Sequence, residues 1–199
     1  AVFDAMRVSM QRGDRIEHDR VWAAKRSACE LLWHSAGRPE PIGAPDDLWQ
    51  FAIFCALAER YGSHWSRWPE GLRHPAAPDV DRARVELAPR VAFHAWLQDQ
   101  VQRQLSDVRG VAQEFGVRVV HDLAVGCDPE GADGWALQDV LAMGVHAGAP
   151  PDAFSQQGQD WGLPPWRPDR PRTTFPEEGD AARRPRPGRR PAGALTRPR

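Results

Sequence analysis

Cysteine is scarce in this 199-residue chain, and what there is suits neither a disulfide framework nor a metal site. Cys29, Cys55 and Cys127 are odd in number and widely spaced, without a Cys-x-x-Cys pair, and the chain opens on no signal-like apolar segment. Together these point to a reducing, cytoplasmic setting. No run approaches the roughly 20 apolar residues that a membrane-spanning helix needs. The seven His lack the paired spacing of zinc ligands, so each is expected at the surface or in a cap, and no metal site is assigned. A formal net charge of -1 gives no global attraction to nucleic acid or to an anionic membrane, and neither is expected as a partner.

Tryptophan is abundant by contrast. The nine Trp stand in polar neighbourhoods such as Ser63-His64-Trp65-Ser66-Arg67-Trp68 and Gln159-Asp160-Trp161-Gly162. For any single indole, filling a core is the default reading. The polar company of these also suits a carbohydrate or protein surface. A hydrophobic content of 41% over this length can support one ordinary domain.

Helical periodicity dominates the first part of the chain. Ile16, Val21, Trp22, Leu31, Leu32 and Trp33 predict an amphipathic helix over 16–36, with Asp19 as its cap and Gly37-Arg38-Pro39 as its stop. Leu48, Phe51, Ala52, Phe54, Cys55 and Leu57 predict a second, from Asp46 to Tyr61, ended by Gly62. Residues 63–79 read as a loop. A long third helix is predicted over 83–115, with Val91, Trp96, Leu97, Val101, Leu105, Val108 and Val111 on its apolar face and Gly116 at its end.

The period then changes. Val117-Arg118-Val119-Val120-His121-Asp122-Leu123-Ala124-Val125 is short and rich in β-branched residues, as in a strand buried on both faces of a parallel sheet. Helix, glycine, buried strand is the unit of an α/β protein. Asp122, near the strand's carboxyl end, either faces an active site, as such positions do in α/β barrels, or caps the following turn. From Gly126 to Pro165 a long loop with one short helix around 134–143 is predicted, and loops of that length usually bind something. Its stretch Asp152 to Gly162 mixes aromatic faces, amides and carboxylates, able to stack on a sugar ring and hydrogen-bond its hydroxyls. Beyond Trp166 the chain turns Arg- and Pro-rich, as in Arg183-Arg184-Pro185-Arg186-Pro187, and is expected to be disordered. Such a tail reads either as an electrostatic tether for nucleic acid or as a GC-rich gene translated out of frame.

Several stretches together resemble the amylomaltase family of 4-alpha-glucanotransferases, glycoside hydrolase family 77. These are Val21 to Arg26, Phe51 to Ala58, Val91 to Gln98, His121 to Gly126 with Asp128 to Ala132, and above all Gly148 to Phe154 running through Gly158 to Pro165. They span roughly residues 15–168. The resemblance implies an incomplete (β/α)8 barrel with helical insertions, mostly helical in this part: 1–116 as insertion and barrel helices, 117–168 as a barrel strand and substrate loop, 169–199 as the tail. It implies transfer of α-1,4-glucan segments between maltooligosaccharides by a retaining double displacement, in which one carboxylate is the nucleophile and a second serves as acid and then base. No metal or organic cofactor is implied. Asp122 is placed in or beside the donor site, and Asp152, Phe154, Gln159 and Trp161 in a loop arching over the groove, all as glucan contacts.

The family's catalytic carboxylates are not among these matches. Its nucleophile lies in an Arg-Ile-Asp-His type motif and its acid/base in a Glu-Asp-Leu-Gly type motif, and neither occurs here. A whole barrel takes about 250 residues, more than this chain has. With the opening Ala1, this leads to the expectation of an inactive piece that begins in mid-gene. Two other readings stand beside it: an unrelated hydrolase using Asp122 with Asp128 or Asp152, and a non-catalytic glucan-binding module.

Overall fold

The computed structural model describes residues 16–120, 122 and 124–170. Packing divides the chain after Trp166 into two units, and every element below belongs to the first. Of the second, only Arg167 to Arg170 is described, where the Arg167 guanidinium pairs with Asp169 at 2.7 Å. The expected disorder of the Arg/Pro-rich tail falls almost wholly outside the described residues.

Helix α1 runs His18–Ser35. Its N-cap is Glu17, and Asp19, expected as the cap, lies within the first turn, where a carboxylate still favours the positive end of the helix dipole. The stop falls where predicted: Gly37 and Arg38 both take positive φ, and their N–H groups return to the His34 and Trp33 carbonyls. Helix α2, Asp46–Tyr61, has the predicted bounds and ends at Gly62, whose φ of 92° few other residues would adopt. The predicted loop that follows holds two single 3-10 turns, Trp65–Arg67 and Glu70–Leu72.

The predicted third helix is in fact two, α3 (Pro78–Glu86) and α4 (Ala88–Glu114). Pro89 explains the break. It has no N–H to give and its ring would collide with the carbonyl four residues back, so Leu87 leaves helical geometry and serves as the end of α3 and the start of α4. At the far end Gly116, at φ 69°, closes α4, with the Val117 N–H reaching back to the Ala112 carbonyl at 2.9 Å.

The core lies between α2, α4 and the short helix α5 (Ala132–Ala136). Phe54, Trp68 and Trp135 form its aromatic centre, with ring centroids 5.2 Å (Phe54–Trp68), 5.9 Å (Phe54–Trp135) and 6.1 Å (Trp68–Trp135) apart. Trp68 donates to the Gly62 carbonyl and Trp135 to that of Leu72, so neither buried indole N–H is left unpaired. A smaller cluster of Trp33, Ala92 and Phe93 joins α1 to α4.

Charge also joins these helices. Glu59 of α2 accepts from the Arg90 guanidinium at 2.6 Å through both oxygens and meets His94 Nε2 at 3.1 Å, while Arg90 also reaches Glu30 of α1 at 2.9 Å. The expectation of surface histidines therefore fails at His94, which is 5% exposed and lies against a carboxylate partner.

The strand predicted over 117–125 is absent among the described residues. Val117, Val119, Val120 and Val125 are exposed, and no described segment pairs with them. A parallel strand exists only through its neighbours, so β-branched residues alone leave an extended, unpaired chain. The sheet that does form is small and antiparallel, β1 (Ala147–Ala149) against β2 (Gln159–Leu163), within the segment predicted as loop. The described residues are thus helical with one hairpin, and they contain no barrel. None of their helices is long and apolar enough to cross a membrane.

Candidate functional site

The hairpin is built on glycine. A Cβ on Gly148 would lie 2.0 Å from the Gln159 carbonyl oxygen, so β1 approaches β2 only because residue 148 has none. Gly158 takes φ 72°, and a Cβ there would meet the Ala149 oxygen at 2.7 Å. At the base, Pro164 is buried, Leu141 bridges to Trp166, and the Ala142 N–H donates to the Pro165 carbonyl at 2.8 Å. Gly126 packs on Leu163, which ties the start of the long segment to β2.

The connection between the strands is held by side chains acting on backbone. Asp152 Oδ1 accepts the Phe154 N–H at 2.8 Å and the Ser155 N–H at 2.6 Å, and the Ser155 hydroxyl donates to the Gly158 carbonyl at 2.9 Å. This is an Asx-type turn, which fixes the backbone while Phe154 stays fully exposed. Trp161 is 45% exposed, and its indole N–H donates to Gln159 Oε1 at 3.0 Å.

Of the expected contacts, Asp152, Phe154, Gln159 and Trp161 all lie on this hairpin, Asp152 and Phe154 in its connection and Gln159 and Trp161 on β2. Asp122 does not join them: it is exposed on the unpaired stretch, with no hydrogen bond or ion pair among the described residues. Asp128 accepts the Glu130 N–H at 2.9 Å, so the carboxylates of the rival hydrolase reading, Asp128 and Asp152, each serve a local turn.

Sequence reasoning missed one pair. Asp160 Oδ2 lies 3.0 Å from His146 Nδ1 across the hairpin, and its Oδ1 accepts the Gly162 N–H at 2.8 Å. The His146 hydrogen bond, and after it the Gly162 N–H, hold the Asp160 carboxyl below its ordinary range. The signal was half visible: Asp two residues before Gly marks a side-chain-to-backbone turn, whereas the approach of His146 depends on strand register.

A chain with this hairpin and helical core can be set against known proteins. The sequence profile of 4-alpha-glucanotransferases matches residues 4–174. This chain belongs to the 4-alpha-glucanotransferase family. A 4-alpha-glucanotransferase of Mycobacterium tuberculosis is 51% identical over 167 residues, covering 79% of this chain and 23% of the relative. The enzyme of that name from Thermus thermophilus is 36% identical over 127 residues, covering 60% and 25%. Among solved structures, the amylomaltase from Corynebacterium glutamicum superposes with a TM-score of 0.54 at 32% identity, over 77% of this chain and 21% of that one. The amylomaltase from Streptococcus agalactiae, solved in complex with acarbose, gives 0.56 at 18% identity, over 73% and 29%, and speaks for the fold alone. This chain therefore spans about a quarter of the length of these 4-alpha-glucanotransferases.

Proposed function

We propose that this chain forms part of a cytoplasmic 4-alpha-glucanotransferase that moves α-1,4-glucan segments between maltooligosaccharides by a retaining double displacement, and that hairpin 147–163 is part of its glucan-binding surface. One observation carries the reading. In a chain that buries Trp33, Trp68 and Trp135, the Trp161 indole is left half-exposed on a hairpin braced by side-chain hydrogen bonds. Its face is available to the C–H face of a glucose unit. The remaining Asp152 oxygen and the Gln159 amide supply acceptors and donors for sugar hydroxyls, and Phe154 supplies a second apolar face. Three unpaired cysteines suit the reducing compartment. The nucleophile and the acid/base belong to motifs that these 199 residues do not contain.

That absence favours a second reading for the isolated chain, a glucan-binding module without turnover. Maltooligosaccharide affinity with no released product would distinguish it from a transferase. The test of the shared site is Trp161→Ala, titrated with maltoheptaose and melted in parallel. Losing a stacking indole costs on the order of 1 kcal/mol, so affinity falls several-fold with an unchanged melting temperature. A lowered melting temperature with unaltered affinity would make Trp161 an anchor of the hairpin and remove it from the site.

A further inference from the structure

We propose that Asp160, clasped by His146, is a positioning residue that fixes the backbone bulge presenting Trp161, an inference that rests on the reading of Trp161 as the sugar platform. The strand register carries it. Ala147 faces Leu163 and the adjacent Gly148 faces Asp160, so Trp161 and Gly162 are extra residues on β2 with no partner on β1. Such a bulge releases backbone groups from the ladder and re-aims a side chain. The released Gly162 N–H goes to Asp160 Oδ1 at 2.8 Å, with Gly162 at φ 67°, a conformation that closes the bulge within one residue. The other carboxylate oxygen reaches His146 Nδ1 at 3.0 Å, just ahead of β1, so one side chain ties the bulge to the opposite strand. The contact requires a proton on His146 Nδ1, since a carboxylate can only accept. On the other side of Asp160, Gln159 Oε1 receives the indole N–H at 3.0 Å, so the ring projecting from the bulge is held in orientation as well as in place. An exposed side-chain contact of this kind stabilises a fold little; here its effect is geometric, selecting one bulge conformation.

The test uses the full chain with labelled tryptophan, in which Trp161→Phe identifies the Trp161 indole N–H resonance. Asp160→Ala and His146→Ala shift and broaden that resonance while the signals of the buried Trp33, Trp68 and Trp135 keep their positions. Asp160→Asn, whose Oδ1 still accepts from Gly162 and whose amide N–H donates to His146 Nδ1 once the imidazole takes its other neutral tautomer, restores it. Maltoheptaose affinity drops several-fold in Asp160→Ala and stays near wild type in Asp160→Asn. A Trp161 resonance unchanged in both alanine variants overturns the proposal, and so does loss of the core resonances together with it, which would make the pair a support of the whole fold. Wild-type chain that ignores maltoheptaose removes the glucan reading of Trp161, while the indole resonances still decide whether Asp160 positions it.

Discussion

Glu59 gathers charge from two other helices onto a single carboxylate, receiving both arms of Arg90 and the ring of His94 from α4 and facing Arg26 of α1 at 3.8 Å. Burial alone would raise its pKa, but the hydrogen bonds from His94 and Arg90, and then their charges, outweigh burial and bring it down from 4.5 to about 2. A carboxyl depressed in the folded state contributes stability that is present in full above its unfolded pKa and is lost as pH falls through the folded one. The window is therefore pH 4.5 down to about 2. Urea midpoints taken across that window should fall for the wild type and fall less steeply for Glu59→Gln, whose amide does not titrate. Parallel slopes for the two proteins would show that Glu59 is not the group lost in acid. The sequence held no sign of this cluster, because Glu30, Glu59 and Arg90 lie on separate helices and meet only through packing.

Helix α4 leads two different lives along its length. From Val91 to Ala95 it is buried against α1 and α2, while Val101, Leu105, Val108 and Val111, on the same periodic face, are exposed. Phe93→Ala should therefore destabilise by roughly 3–5 kcal/mol, as large-to-small core changes do. Val108→Ala should stay within about 0.5 kcal/mol. Denaturant unfolding of the two variants checks the contrast, and similar losses at both sites would mean that the outer half of α4 has a partner in solution. Periodicity predicts which face of a helix is apolar, and it located α1, α2 and α4; it is silent on whether a partner lies opposite that face. The same limit explains the sheet. Residues 117–125 look like a strand, and those of them that are described pair with no described strand, whereas Ala147-Gly148-Ala149 has no alternating pattern and pairs because its small residues admit the opposite backbone. Polar neighbours left Trp161 open to a surface reading, but they say the same of Trp68, which is buried, so composition alone does not separate the two; the bulge that presents Trp161 was not legible at all, since a bulge belongs to two strands at once.

At the scale of the molecule, family membership and chain length pull in different directions. The 199 residues match 4-alpha-glucanotransferases over about a quarter of their length and contain neither of the family's carboxylate motifs. Incubated with maltotriose, this polypeptide should release no glucose and build no longer chains above a blank, and product formation would refute the placement of the catalytic groups outside it. What the 199 residues do form is stitched across a long interval of sequence. Trp65 donates to the Pro129 carbonyl at 2.8 Å, Trp135 to that of Leu72 at 3.0 Å, and Gln138 to that of Arg73 at 2.9 Å, all beside the buried Phe54–Trp68–Trp135 cluster. Between the two sides of this seam, the described residues of 118–125 are exposed and pair with no other described segment. Continuity of the backbone there holds nothing together that the seam does not already hold. A protease cut near Val120 should give two pieces that co-elute under native conditions and separate only in denaturant, so that in assembly terms the chain behaves as a heterodimer joined by a tether.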